Sequence, residues 1–300
     1  MRTLIAISNS KPGAIDKCAM LVAYLQAQGV QTETVNVDRL VWDDPITYET
    51  VPECVENDEV DLVITLGGDG TILRTARILT GKDVPILGIN LGNLGFLAND
   101  VNDNLIELTS MALAGELVEE RRTNLQCDII CENETDWVAE GTQKTRPSFF
   151  ALNEVAITRG GSGIMLDMML DISGAAVGRF KGDGMIIATA TGSTAYSLAA
   201  GGPIVAPSFR GLIVQPLASH TISARTILTN ENDIVQLKLV LDKNNQVKRI
   251  PAVYVDGMEA GLDGEITTVY VRRGKVPTTL LYKEANTTIR KATATFFRGL

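Results

Sequence analysis

The sequence predicts an α/β N-terminal domain built on a parallel, doubly wound-like sheet, followed by a mainly antiparallel, all-β C-terminal domain. Three observations carry this. Over the first hundred or so residues short apolar runs alternate with stretches of helical period, the rhythm of βαβ units. Farther on, short Val-, Ile- and Thr-rich runs are separated by Gly, Asn, Asp and Pro, as in a set of antiparallel strands. The length, 300 residues, accommodates roughly two domains of about 100 to 200 residues each.

Element by element, Thr3–Ser8 is an apolar strand. Ile15, Cys18, Ala19, Val22 and Leu25 then fall on one helical face, and Gly29 stands where a helix C-terminal glycine belongs. Gln31–Val37 alternates polar and apolar as a half-buried strand does. Asp61–Leu66 reads as a buried strand, Ile72, Leu73, Ala76 and Leu79 as a helix face, and Val84–Ile89 as the next strand. The later strands are Leu125–Cys131, Phe149–Thr158, Met165–Ile172, Gly184–Thr189, Ile234–Leu241, Val253–Asp256 and Ile266–Arg272, with Glu132–Pro147 a polar surface loop. The boundary falls within Asn99–Arg122, giving domains over 1–110 and 111–285. A C-terminal segment, 286–300, is expected to pack back on the first domain.

Composition narrows the function. A chain that is 45% hydrophobic and 21% charged can fill a globular core. No apolar run reaches the roughly 18 residues of a membrane span, and Met1–Ser8 reads as a first strand rather than a signal peptide, so a cytoplasmic protein is expected. A net charge of −9 argues against nucleic acid or an anionic membrane as the main partner. Phosphates remain accessible ligands, because backbone N–H groups and a few cations suffice. Cys18, Cys54, Cys127 and Cys131 form no CxxC pair and His220 is the one histidine, so no protein-held metal is expected.

Three clusters carry chemistry. Leu66-Gly67-Gly68-Asp69-Gly70-Thr71 joins an apolar strand to an amphipathic helix. Its glycines permit a tight turn and close backbone approach, and the helix start near Thr71 offers free N–H groups to a phosphate. Asp69 then sits beside the phosphates as a base or a Mg²⁺ ligand; a tight βα turn capped by Asp is the structural alternative. Gly88–Leu97 follows the next strand and opens at the same carboxyl edge of the sheet, with Phe96 placed either on a base or ribose or in the core. Lys181-Gly182-Asp183-Gly184, followed by Thr191-Gly192-Ser193-Thr194-Ala195-Tyr196-Ser197, supplies small hydroxyl residues suited to sugars, amides and phosphates. Asn153-Glu154 lies in an apolar run, so its carboxylate must reach an edge or a specific donor. There is no GxxxxGK[ST], GxGxxG or GxSxG motif.

Together these segments resemble the NAD kinase family, whose pattern is a GGDGT turn, GxNxGxLGFL, an Asn-Glu pair, DGxI, TGSTAY and GGP, here in that order over residues 66–203. The likeness extends through Pro216–Leu228, with His220 and Arg225. The resemblance implies transfer of the γ-phosphate of ATP, with Mg²⁺ or another divalent cation, to the 2′-hydroxyl of the adenosine ribose of NAD. It makes Asp69 the general base while Gly67, Gly68, Gly70 and Thr71 cradle phosphates. It places Asn153 and Glu154 on the adenosine portion of NAD. Asp183, Thr194, Ala195 and Tyr196 would line the dinucleotide site, with Lys181 near its phosphates and Thr191, Ser193 and Ser197 in the same wall. Ala199 stands where many members carry serine, Ala190 where proline is common, and Met258 replaces a polar residue. The family forms homodimers or homotetramers, which the resemblance implies here.

Overall fold

The computed structural model describes residues 1–39, 52–92, 95–99, 104–131, 148–220, 224–240, 251–262, 264–285, 291–292 and 295. The expected loop Glu132–Pro147 lies outside the described residues, as does most of 286–300. Contacts divide the chain into two units. The first holds the described residues up to Arg122 and those from Lys275 onward; the second is Thr123–Gly274.

The first unit begins with β1 (Arg2–Ile7), α1 (Ala14–Ala27), β2 (Gln31–Asn36), α2 (Glu53–Glu56) and β3 (Leu62–Gly67). It continues with α3 (Asp69–Ile78), β4 (Ile86–Asn90), α4 (Leu105–Ala114) and β5 (Val118–Arg122). The second unit contains β6 (Leu125–Cys131), β7 (Ser148–Ala151), β8 (Glu154–Thr158), β9 (Leu166–Ile172), β10 (Ala175–Gly182) and β11 (Gly184–Ala188). Then come α5 (Tyr196–Ala199), β12 (Ile213–Leu217), β13 (Ile227–Leu228), β14 (Val235–Leu239), β15 (Ala252–Val255), β16 (Met258–Glu259) and β17 (Ile266–Arg273). The last strand, β18 (Thr278–Tyr282), returns to the first unit.

In the first unit the sheet order is β2-β1-β3-β4-β18-β5. All pairs are parallel except β18 with β5. β3 is buried along its whole length, as the middle strand of a covered parallel sheet should be. α1 packs through Ala14, Cys18, Leu21 and Leu25, one stripe of the 3.6-residue period. It ends as its sequence dictates: Gly29 takes φ 74, and the Val30 N–H closes on the Leu25 carbonyl. Leu66→Ala in the core beneath this helix would cost about 2–5 kcal/mol. The expected limits at 110 and 285 move to Arg122/Thr123 and Gly274/Lys275, because β5 pairs with β18 and β18 with β4. Lys291 is buried in this unit and donates to the Ala98 carbonyl.

The second unit is a sandwich of two antiparallel sheets, β10-β9-β14-β17-β6-β7 and β13-β12-β11-β8-β15-β16. Its core alternates as strands demand: Val155 and Ile157 of β8 and Met185 and Ile187 of β11 point between the sheets. Ala156, Ile186 and Ala188 form a second apolar patch on the outer face. The segment expected as one strand, Phe149–Thr158, is two. β7 pairs with β6 in the first sheet, β8 pairs with β11 and β15 in the second, and the chain changes sheets at Leu152-Asn153. It crosses again at Asp183, between β10 and β11. Asn153, Glu154 and Asp183 therefore all lie where a strand has just left one ladder and joined another.

Candidate active site

In the first unit, β3 delivers Gly67 as its last residue and Gly68 caps α3. The helix begins at Asp69, earlier than the start expected near Thr71, because the N–H groups of Thr71 and Ile72 already bond to the Gly68 carbonyl. A Cβ on Gly68 or Gly70 would meet only open space, so this stretch of backbone is approachable by a ligand. Asp69 is half-buried and points back at the second glycine cluster. Its Oδ2 accepts the Phe96 N–H at 2.7 Å and its Oδ1 the Leu97 N–H at 3.0 Å. Gly95 is required here, since a Cβ there would overlap the Asp69 carboxylate. The GGDG turn and the Gly95-Phe96-Leu97 segment are thus one structure. Asn90 supports it by accepting the Gly92 N–H, and Asn99 by donating to the carbonyls of Gly88 and Leu281.

In the second unit a cleft of about 620 Å³ opens on the outer face of β8, whose residues Glu154, Ala156 and Thr158 project the same way. Glu154 stands at one end. Arg159 and Asp183, paired at 3.2 Å, stand at the other, roughly 16 Å along the strand at about 3.3 Å per residue. Tyr196, Leu217, Ala218 and Tyr254 complete the walls. Glu154 is only 5% exposed, and its Oε2 has no hydrogen-bond partner. Burial first, and the nearby charge of Asp256 second, push its carboxyl up to about 8, against the opposing effect of the Tyr196 N–H.

The TGSTAY segment packs directly on the Asn153 turn. Gly192 is needed for that approach, because a Cβ would strike the Asn153 backbone. Thr189 reinforces the contact, its N–H bonding to the Asn153 carbonyl and its hydroxyl to that of Leu152. Thr191, Ser193 and Ser197 are buried rather than displayed. Ser193 Oγ donates to the Ala190 carbonyl at 2.6 Å and accepts the Val205 N–H at 3.1 Å, so it pins the 3₁₀ turn Thr191–Thr194. Thr194 bonds back to the Thr191 carbonyl. Ala195 precedes α5, Ala199 ends it, and Tyr196 is the member that reaches the cleft. Lys181 lies outside the cleft wall, with its ammonium 3.5 Å from Asp167, which Arg179 also grips through two bonds of 2.7 Å.

Sequence reasoning named Glu154, Asp183 and Tyr196 in this wall and missed Thr158, Arg159 and Tyr254, as well as Asp256, which bonds to the backbone of Leu152–Glu154. Arg159 was legible as the cation ending an apolar strand before Gly160-Gly161. Asp256-Gly257 was legible as a turn, but its partners are about a hundred residues away. Among the described residues no three His, Cys, Asp or Glu side chains are grouped as a metal site needs, and no helix is long and apolar enough to cross a membrane.

The sequence matches the ATP-NAD kinase N-terminal domain over residues 19–117 and the ATP-NAD kinase C-terminal domain over 152–281. It is 30% identical over 297 residues to an NAD kinase of Heliobacterium modesticaldum, covering 99% of this chain and 95% of that one. It is 32% identical over 285 residues to NAD kinase 2 of Streptomyces avermitilis, covering 93% and 89%. The fold is that of yeast NADH kinase, solved with NADH, at a TM-score of 0.79 and 22% identity over 98% of this chain and 86% of that one. It is also that of an Archaeoglobus fulgidus NAD kinase solved with ATP, at a TM-score of 0.70 and 23% identity over 98% of both chains. Full-length similarity and both matched domains show that the chain belongs to the NAD kinase family.

Proposed function

We propose that Asp69 is the general base of this enzyme and that the Glu154 cleft holds the dinucleotide. As a member of its family the chain is a phosphotransferase that phosphorylates NAD with ATP to give NADP. The observation that carries the proposal is the setting of Asp69: a carboxylate fixed by two backbone N–H groups at the start of a helix, beside glycine backbone open to a ligand. Fixing the acceptor before reaction supplies orientation, and proton acceptance by a positioned carboxylate contributes about 10² to 10⁴-fold. Gly68 and Gly70 would hold phosphates through backbone N–H groups at the helix start, with Gly67 and Thr71, packed against each other, shaping the turn beneath them.

In the second unit Asn153, Glu154, Asp183 and Tyr196 are the residues proposed to hold NAD, with Thr191, Ser193, Thr194, Ala195, Ser197 and Ala199 shaping the wall behind them. Phe96 and Lys181 are proposed contacts from the family resemblance. Mg²⁺ or another divalent cation is proposed to arrive on the phosphates of ATP. When bound, that ion neutralises charge developing on the transferred phosphoryl group. A cytoplasmic homodimer or homotetramer is proposed from the resemblance, and light scattering measures its size.

The test is NADP formation by the purified protein, with NAD and NADH each crossed against ATP, other triphosphates and polyphosphate. Turnover of NAD with ATP and Mg²⁺ is expected. No turnover with any pair would overturn the reading.

A further inference from the structure

The change of sheet at Leu152-Asn153 creates a problem that the strands cannot solve. Backbone N–H groups at the crossover lose their ladder partners, and an unpaired buried N–H is costly. One side chain answers for all three positions. Asp256, in the turn between β15 and β16, accepts the N–H of Leu152 at 2.8 Å, of Asn153 at 2.7 Å and of Glu154 at 3.2 Å. Its own N–H donates to the Glu154 carbonyl at 2.9 Å. To do this Asp256 takes φ 48, a left-handed conformation that Asp tolerates better than most residues.

The same clamp puts a carboxylate beside Glu154. The Tyr196 N–H of α5 bonds to Glu154, and Tyr254 of β15, Arg159 and Asp183 line the same cleft, the last two paired with each other at its far end. Among the described residues the charge that acts on Glu154 is that of another acid, Asp256, and the Oε2 of this cleft-lining residue is buried without a hydrogen-bond partner. A buried ionised carboxylate so placed is costly, whereas a carboxylic acid can donate its proton to a ligand atom.

We infer that Asp256 is a positioning residue of the cleft: it clamps the Leu152–Glu154 crossover and, together with the burial of Glu154, keeps that side chain a neutral hydrogen-bond donor to the bound dinucleotide. The ligand half of this statement rests on the NAD reading above. The physical advantage is twofold. A neutral Glu154 satisfies an acceptor oxygen or ring nitrogen, and it does not repel a diphosphate as a second negative charge would. The upward displacement of its titration to about 8 agrees with this geometry.

Two measurements test the inference. Infrared difference spectra between the wild type and Glu154→Gln, taken without ligand near pH 7, read the protonated carboxyl band directly. The band is expected in the wild type and is expected to be lost at lower pH in Asp256→Asn than in the wild type. Calorimetric NAD binding, without ATP, is then followed between roughly pH 6 and pH 9 in the three proteins. One group titrating near 8 weakens wild-type affinity about tenfold from pH 7 to pH 9. Glu154→Gln should show no such dependence, and Asp256→Asn should move the weakening to lower pH. A wild-type spectrum without the band, or a Glu154→Gln profile that tracks the wild type, overturns the inference whether or not Asp256→Asn folds. A band present in a protein that binds no NAD overturns the ligand assignment instead.

Discussion

The two proposed working carboxylates are held in opposite ways. Asp69 in the first unit has both oxygens engaged by backbone N–H groups, is half-buried, and sits at the start of a ten-residue helix. Glu154 in the second unit is almost fully buried, has one oxygen without a partner, and shares its surroundings with another acid. Backbone donors suit a group that must hold and exchange charge, whereas the Glu154 site suits a group that stays neutral and waits for a ligand to complete its bonding. On this reading Asp69 serves turnover and Glu154 serves binding.

The largest effect separates these roles. Asp69→Asn keeps the shape of the side chain but removes the base, so kcat should fall about 10² to 10⁴-fold while the NAD dissociation constant changes little. Steady-state kinetics beside calorimetry measures both, and a near-normal kcat would remove Asp69 from the chemistry. A smaller loss is expected from Gly95→Ala, whose Cβ displaces the Asp69 carboxylate without touching its chemistry. Misplacing a catalytic group by about 1 Å can cost on the order of 10²-fold, and kcat equal to wild type would show that the bonds to Phe96 and Leu97 do not matter.

The third effect is on stability. The folded-state carboxyl of Glu154 titrates near 8 against an ordinary 4.5, so the native protein binds more protons than the unfolded chain between those values. Stability contributed at this position should therefore fall as pH rises through that window. Urea midpoints for Glu154→Gln should lack this part of the decline and should exceed wild type above about pH 8. Parallel midpoint curves for the two proteins would mean that Glu154 is charged at neutral pH.

Much of the first unit was legible because its signals are local. The period of Ile15 to Leu25, the Gly29 stop and the Gly67–Thr71 turn each act within a few residues, and the structure places all three near their expected positions. The second unit was legible as strands but not as a topology. Phe149–Thr158 reads as one apolar run because both halves are buried, yet they belong to different sheets. What splits it is Asp256, whose carboxylate reaches back more than a hundred residues to Leu152 and Asn153, a relation no window along the chain reveals. α4, β5 and β18 were not expected from the sequence either. β5, Val118–Arg122, is rich in charge, and it becomes a strand by pairing with β18 from the far end of the chain. For the site, motif order brought out Asp69, Glu154, Asp183 and Tyr196. It could not show that Ser193 is a buried support and Ser197 a buried side chain rather than surface hydroxyls.

The most direct test of the division of labour is NAD binding to Asp69→Asn at about pH 7 and about pH 9, with NADP formation measured on the same preparation. The account expects wild-type affinity at the lower pH, about tenfold weaker binding at the higher, and turnover reduced at least a hundredfold. Binding lost together with turnover, or affinity unchanged between the two pH values, would contradict it.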